Sequence, residues 1–334
     1  MTNFLLIVIR MASVPAILLS VLFFVLILID VTGNMLVCLI VYRRKQMRRP
    51  MNYLLVNLAV ADILIGVFML PRHVFHHTFE HPTGTSGNYL CKFITGGVFI
   101  WLSAASSGIL LIAIATARYF AVVHPLKRRL RLKNKHVLWI MVISWVFACL
   151  LTVPSMSAIV YSPSKDFCIE EWAEWYPKRG HVAFVFAVNC LVPIISMTLL
   201  YSRIIHKLWN NHEQVTNLVQ YARLKARKRV TFMLIVITLV HTLCWSPNYV
   251  LYLLIFCVPG FYYGSTAYII TVLLVLLNAA ADPLLYMWFM EGFNRAIRSV
   301  LCCCHGNRVV GVPTVRKISK TPVELGFSTT VDPN

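Results

Sequence analysis

The sequence predicts an all-α membrane protein, a bundle of seven transmembrane helices. Three observations carry that reading. Of 334 residues, 59% are hydrophobic and only 13% are charged, against about 25% charged in an ordinary soluble domain. The apolar residues are gathered in seven long blocks, and the basic residues concentrate after alternate blocks. A formal net charge of +19 could suggest a nucleic-acid partner, but a chain held largely in lipid excludes that reading, and its apolar content excludes disorder.

The blocks fall near residues 14–42, 51–76, 90–122, 136–159, 181–207, 230–257 and 265–289. A helix crosses a ~30 Å hydrocarbon layer in about 20 residues at ~1.5 Å each, and every block is that long. Barrel strands would be about 10 residues with alternating polarity. These blocks are apolar on most faces, so they are expected to be helices that satisfy their own backbone groups. No 20–50-residue repeat is visible, which speaks against solenoids and repeat-built transporters. Met1 to Arg10 has no basic segment ahead of its apolar run and no small-residue cleavage site, so no cleaved signal is expected.

Orientation follows from Lys and Arg. Arg43, Arg44, Lys45, Arg48 and Arg49 follow the first span, six more lie between Lys127 and Lys135, seven between Arg203 and Arg229, and six between Arg295 and Lys320. Basic residues mark cytoplasmic loops, so the N-terminus is expected outside and the tail inside, in the plasma membrane. An anionic lipid or acidic cytosolic partner for these loops is a secondary reading.

Polar groups within spans are costly and therefore informative. Asp62 in span 2 and Asp282 in span 7 have no Lys or Arg partner at membrane depth; Arg118 sits at the cytoplasmic end of span 3. Asn34, Ser103, Ser107 and Asn278 supply further oxygens, with Ser103 and Ser107 one turn apart on one face. Two readings stay open: a metal site for a small cation, sodium first, and a structural hydrogen-bond network joining spans 1, 2, 3 and 7. Asp30, one turn before Asn34, receives no role. Pro71, Pro154, Pro193, Pro247 and Pro283 interrupt spans and predict bends around a cavity.

Taken in order, these residues resemble the rhodopsin-like (class A) G-protein-coupled receptors over about residues 25–300. The matches are Gly33-Asn34, Asn57-Leu58-Ala59-Val60-Ala61-Asp62, Arg118-Tyr119 with His124-Pro125-Leu126, Trp145, Pro193 with Tyr201, Cys244-Trp245-Ser246-Pro247, Asn278, and Asp282-Pro283-Leu284-Leu285-Tyr286, followed by Phe293. Each is weak alone; one per span in the right order is specific.

The resemblance implies a ligand-gated switch rather than an enzyme, with residues 1–13 as a short extracellular N-terminus and 14–290 as the receptor domain. It adds an amphipathic cytoplasmic helix 8 at 291–304 and a tail at 305–334. A ligand would bind among the outer halves of the helices, and helix 6 would swing outward to admit a heterotrimeric G protein. Trp245 and Pro247 would respond to the ligand, with Asn248 and Tyr249 nearby. Arg118, Tyr119, Tyr201, Asp282, Pro283 and Tyr286 would rearrange on the cytoplasmic side, and Asp62 with Ser103, Ser107, Asn278 and Asp282 would hold sodium in the inactive state. No other cofactor is implied. Cys91 and Cys168 would form a disulfide. Cys302, Cys303 and Cys304 read as palmitoylation sites; three adjacent thiols cannot easily share one tetrahedral ion. Ser319, Thr321, Ser328, Thr329 and Thr330 are candidate sites for a receptor kinase, and so for arrestin.

The chain also departs from the pattern. Ala117 stands where the family has an acid beside the arginine, and Arg227 occupies the helix-6 region where some members place an acid to latch it, so raised basal signalling is expected. His241 replaces a usual Phe. The stretch from Cys91 to Arg118 is about two residues longer than usual, so roles at the outer end of span 3 do not carry over safely.

Exclusion narrows the ligand. Span 7 has no Lys for a retinal Schiff base, and the outer part of span 3, around Ile100 and Trp101, has no Asp for a monoamine. The loop after span 4 interleaves Asp166, Glu170, Glu171 and Glu174 with Trp172 and Trp175, which suits Arg, Lys and aromatic groups. Its Cys168-Ile169-Glu170-Glu171-Trp172 run is similar to that of RFamide (neuropeptide FF) and orexin-type receptors. A basic, aromatic neuropeptide, with or without a C-terminal amide, is therefore the expected ligand, with Glu170 the leading contact and Glu171, Trp172 and His73 beside it. His73 and His77 are spaced for a shared zinc ion, though a metal-free vestibule is the plainer reading. The rivals are a receptor for a non-peptide small ligand and, from another class, a cation or proton transporter using Asp30, Asp62 and Asp282.

Overall fold

The computed structural model describes residues 14–75, 78–125, 127, 132–210, 218–290 and 293–297. Among the described residues seven helices are long and apolar enough to cross a membrane, and the protein is a multi-pass membrane protein. They are α1 (Val14–Arg43), α2 (Pro50–His73), α3 (Gly84–Val123), α4 (Asn134–Ala158), α5 (Lys178–Trp209), α6 (Leu218–Cys257) and α7 (Thr266–Phe289). A two-stranded antiparallel hairpin, β1 (Ile159–Ser162) and β2 (Phe167–Glu170), follows α4. Residues 293–297 are helical; the rest of the expected amphipathic segment, with Cys302, Cys303 and Cys304, lies outside the described residues.

Two spans start well before their apolar runs. α6 begins at Leu218 rather than near 230 because its first turns carry Arg227, Lys228 and Arg229; hydropathy cannot register a helix that continues past the lipid. α3 begins at Gly84 rather than near 90.

α3 is the central helix, packed on α2, α4 and α5, while α7 closes the bundle against α1 and α6. Leu138, Trp139, Ile143, Leu150, Leu199, Leu243 and Ile270 point outward and are exposed, as a lipid-facing surface requires. Inside there are two apolar clusters. One gathers Leu54, Leu110, Ile114, Met233 and Tyr286 toward the Arg118 end; the other gathers Phe23, Ile65, Met69, Trp245 and Tyr249 toward the disulfide end. Between them, at Asp30 and Asn34 on α1, Asp62 on α2, Ser107 on α3 and Asp282 on α7, lies a layer of buried polar residues.

Two helices depart from regular α geometry. Pro193 cannot donate a backbone hydrogen bond, and the turn before it, Ala187–Leu191, widens to a π-helix. α3 is broken without a proline. Cys91–Thr95 forms a π-turn closed by Gly96 N–H to Cys91 O at 2.9 Å, then Gly97 takes φ 76°, and a regular helix restarts at Val98. Only glycine enters that left-handed conformation without strain. The break falls within the long stretch from Cys91 to Arg118, and Ser103, Ser107 and Arg118 lie together on the uninterrupted helix below it.

Candidate functional site

The disulfide end holds the first candidate. Cys91 and Cys168 are bonded, Cα–Cα 5.7 Å, so the expected pair forms and pins the hairpin over the α3 break. His81 reinforces it: Nε2 lies 2.9 Å from Thr95 Oγ1, and its ring stacks on Tyr161 at 3.9 Å. His81 also stands within metal-sharing distance of both cysteines, but the disulfide consumes their thiolates. His77 lies outside the described residues; His73 stacks on Phe23 at 4.5 Å.

Beneath the hairpin is a cavity of about 100 Å³ whose wall includes Arg72, Gly97, Trp101, Glu170, Asn248 and Tyr252. That is well under the roughly 300–1,000 Å³ of sites that enclose a small ligand, so a ligand must enter by a single group or widen it. The wall is bipolar. On one side the Arg72 guanidinium lies 4.0 Å over the Phe167 ring and donates to Asp166 O at 2.7 Å. On the other, the half-buried Glu170 carboxylate accepts from Tyr252 Oη at 3.0 Å and from Trp172 Nε1 at 3.0 Å. Burial outweighs these two donors and pushes the Glu170 carboxyl up to about 7.

Glu170 belongs to a chain of side chains. Tyr252 Oη lies 3.4 Å from Ser155 Oγ, which meets His181 Nε2 at 3.3 Å, and His181 Nδ1 meets Tyr176 Oη at 3.2 Å. Tyr176 stacks on Trp172 at 4.8 Å, closing the circuit. Trp172 thus holds Glu170 rather than lining the cavity, and Glu171 is exposed and outside the cavity wall. Trp245, 1% exposed, lies deeper, beneath Trp101 (6.3 Å, edge-on) and Tyr249 (5.7 Å, stacked), so a ligand reaches it through those two rings. Asn248 donates to Thr271 at 3.0 Å. His241 is buried 5.8 Å from the Trp245 ring.

The second candidate is the polar layer. Asp30, Asp62 and Asp282 are 0, 1 and 2% exposed, and the Asp62 and Asp282 carboxyls stand close enough to share a hydrogen bond. Asn34 Nδ2 donates to Asp30 Oδ1 at 2.7 Å and to Ala279 O at 3.1 Å. Seven buried oxygens of this layer have no partner: Asp30 Oδ2, Asn34 Oδ1, Asp62 Oδ2, Ser103 Oγ, Ser107 Oγ, Asn278 Oδ1 and Asp282 Oδ1. Buried acceptors without donors are costly, and an oxygen-only set of this kind fits a hard cation.

Asp30 is the member that sequence reasoning passed over. Its signal was the four-residue spacing to Asn34, but what admits it is Gly66 across the interface, where a Cβ would collide with Asp30 Oδ2. Gly66→Ala is therefore expected to cost about 1–3 kcal/mol, the usual range for overpacking. Thermal unfolding in detergent should show the loss, and Asp30→Ala in the same chain should restore most of it. A double variant no more stable than Gly66→Ala alone would place the strain elsewhere.

At the other end Arg118 has an unpartnered Nε. Tyr201 Oη accepts from Thr238 at 3.3 Å. Tyr286 is fully buried with its hydroxyl unpaired, against Phe293 at 6.1 Å. Tyr119 packs edge-on against Phe120 and His124, and Trp145 donates to Asn57 Oδ1 at 3.1 Å. Pro247 and Pro283 lie inside α6 and α7.

Residues 33–286 match the family described as 7 transmembrane receptor (rhodopsin family). The chain is 30% identical over 312 residues to neuropeptide FF receptor 1 of Rattus norvegicus, covering 82% of this chain and 69% of that receptor. It is 28% identical over 320 residues to a QRFP-like peptide receptor of Branchiostoma floridae (91% and 83% covered), and 27% identical over 305 residues to an allatostatin-A receptor of Bombyx mori (88% and 82% covered).

Proposed function

Because the chain belongs to the rhodopsin family of seven-transmembrane receptors, we propose that it detects an extracellular peptide and passes the signal to a heterotrimeric G protein. The family is one of receptors, not enzymes, and its pattern leaves no ground for the transporter reading. In this reading the N-terminus and the disulfide end face outside and the Arg118 end faces the cytosol, an orientation that the distribution of Lys and Arg supports. Arrestin, a receptor kinase and palmitoylation of Cys302, Cys303 and Cys304 belong to the same reading.

The observation that carries the ligand class is Glu170 on the cavity wall, framed by Tyr252 and Trp172. A desolvated carboxylate among aromatic rings recognises a guanidinium through charge-assisted bonds and a flanking side chain through ring contacts. Asn189 and Asn248 on the same wall suit the amide of a C-terminally amidated peptide. The small cavity takes the tip of such a peptide while the rest lies over the hairpin. The tip presses on Trp101 and Tyr249, and through them on Trp245 and the Pro247 bend of α6. The peptide drives α6 only insofar as it binds the open state more tightly.

The purified chain in lipid nanodiscs with a G protein tests this against a panel of amidated peptides carrying Arg and aromatic residues. Faster GDP release with some members is expected. Steady ion flux with no acceleration by any ligand would sink the receptor reading, and acceleration by non-peptide ligands alone would sink the peptide.

The polar layer would hold sodium through Asp62, Asp282, Ser103, Ser107 and Asn278, neutralising buried charge in the closed state. Raising sodium from zero to about 150 mM is therefore expected to lower agonist affinity several-fold, and Asp62→Asn to abolish the effect. An undiminished sodium effect in Asp62→Asn would remove the ion from this layer.

A further inference from the structure

At the Arg118 end a second cavity, of about 340 Å³, lies between the start of α2, the end of α3 and the first turns of α6. Arg49, Arg118, Arg227, His124 and Thr231 are in its wall, and the wall contains no Asp or Glu among the described residues. Three arginines around one space give it a positive potential that favours an anion. The chain does not supply it where it would be nearest: Ala117, beside Arg118 and in the same wall, offers only a methyl group.

Two further atoms point to a ligand. Arg118 Nε is buried without a partner, and so is Thr231 Oγ1, on a residue 1% exposed. Arg118 and Thr231 both stand in the cavity wall, one on α3 and one on α6, and a bound oxyanion would accept from them and from the other two arginines. An oxyanion with several acceptor oxygens matches that arrangement, and guanidinium forks match phosphate geometry bidentately. The size falls within the roughly 300–1,000 Å³ range of small-ligand sites, enough for a phosphorylated ring.

We propose that this cavity binds a phosphate-bearing anion, which serves as the counter-ion for Arg118 that position 117 lacks. The chemistry is that of a phosphate monoester cluster, carried either by a phosphorylated inositol lipid or by a soluble phosphate ester. The proposal goes beyond the receptor reading, because it depends on no agonist.

The test uses the full chain in phosphatidylcholine nanodiscs. One arm adds phosphatidylinositol bisphosphate to the bilayer and reads retained lipid by native mass spectrometry; the other reads polarisation of fluorescent soluble inositol trisphosphate. Binding in either arm is expected, with the lipid arm alone identifying the membrane as the source. Arg227→Gln and Thr231→Val should each weaken binding at least several-fold. Ala117→Asp, which places a carboxylate in the same wall, should abolish it, while the near-isosteric Ala117→Asn should not. The proposal is overturned if neither probe binds at millimolar concentration, if phosphatidylserine is retained equally well, or if Ala117→Asp binds like Ala117→Asn.

Discussion

Glu170→Gln is expected to weaken an Arg-bearing peptide agonist roughly 10- to 100-fold, the range for losing a hydrogen bond to a charged group in a desolvated site. The amide keeps the volume and can still accept from Tyr252 and Trp172, so folding and surface expression should be retained. Peptides with the arginine replaced by an uncharged residue should lose nothing further in the variant. The same carboxyl predicts a pH dependence. Burial raises its pKa to about 7, so near pH 6 most empty receptors hold Glu170 protonated, whereas the bound guanidinium requires the carboxylate. Affinity must therefore rise with pH through this window, by about tenfold between pH 6 and pH 8, and Glu170→Gln must flatten the profile. A slope that persists in the variant would belong to another group, His181 being the one joined to Glu170 through Ser155 and Tyr252. Radioligand saturation at several pH values separates these outcomes.

How much of this was legible depends on the range of the interaction. Hydropathy placed the membrane crossings because lipid forces each span to satisfy its own backbone, a local requirement. The positions of Asp62, Ser107, Asn278 and Asp282 followed from the spans they sit in. Asp30 did not, because its place depends on Gly66, a residue 36 positions away whose missing Cβ opens the space. The surplus between Cys91 and Arg118 was visible as a count, but not its consequence. Gly96-Gly97 was the local sign of a break, yet a π-turn has no composition of its own. The hairpin was read as a plain loop: its four-residue strands are too short to carry an alternating pattern, and the pairing of Tyr161 with Cys168 is fixed by the disulfide and the ends of α4 and α5. Trp172 drew attention as a ligand contact because an exposed-looking aromatic beside acids suggests one; its bond to Glu170 is a tertiary fact.

Ala117→Asp is expected to lower agonist-free signalling about fivefold. Adjacent helical residues do not face each other, but Ala117 and Arg118 both border the same cavity, and the long guanidinium can turn back to a carboxylate placed there. With Nε already buried and unpartnered, the new bond satisfies an existing deficit. A bond to a charged group contributes about 1.5–3 kcal/mol when desolvated; the open cavity screens it, so about 1 kcal/mol is the expected gain for the closed state, a roughly fivefold shift. Basal GTPγS binding by purified receptor in phosphate-free detergent buffer measures it, with Ala117→Asn as the uncharged control. Equal rates in the two variants would show that Arg118 does not hold the switch in this chain. If the rates differ, soluble inositol trisphosphate should slow the unsubstituted receptor toward the Ala117→Asp rate and leave Ala117→Asp unmoved. A carboxylate built into α3 and an anion taken from solution would then do the same electrostatic task, and only the second lets the cell adjust how firmly the empty receptor stays shut.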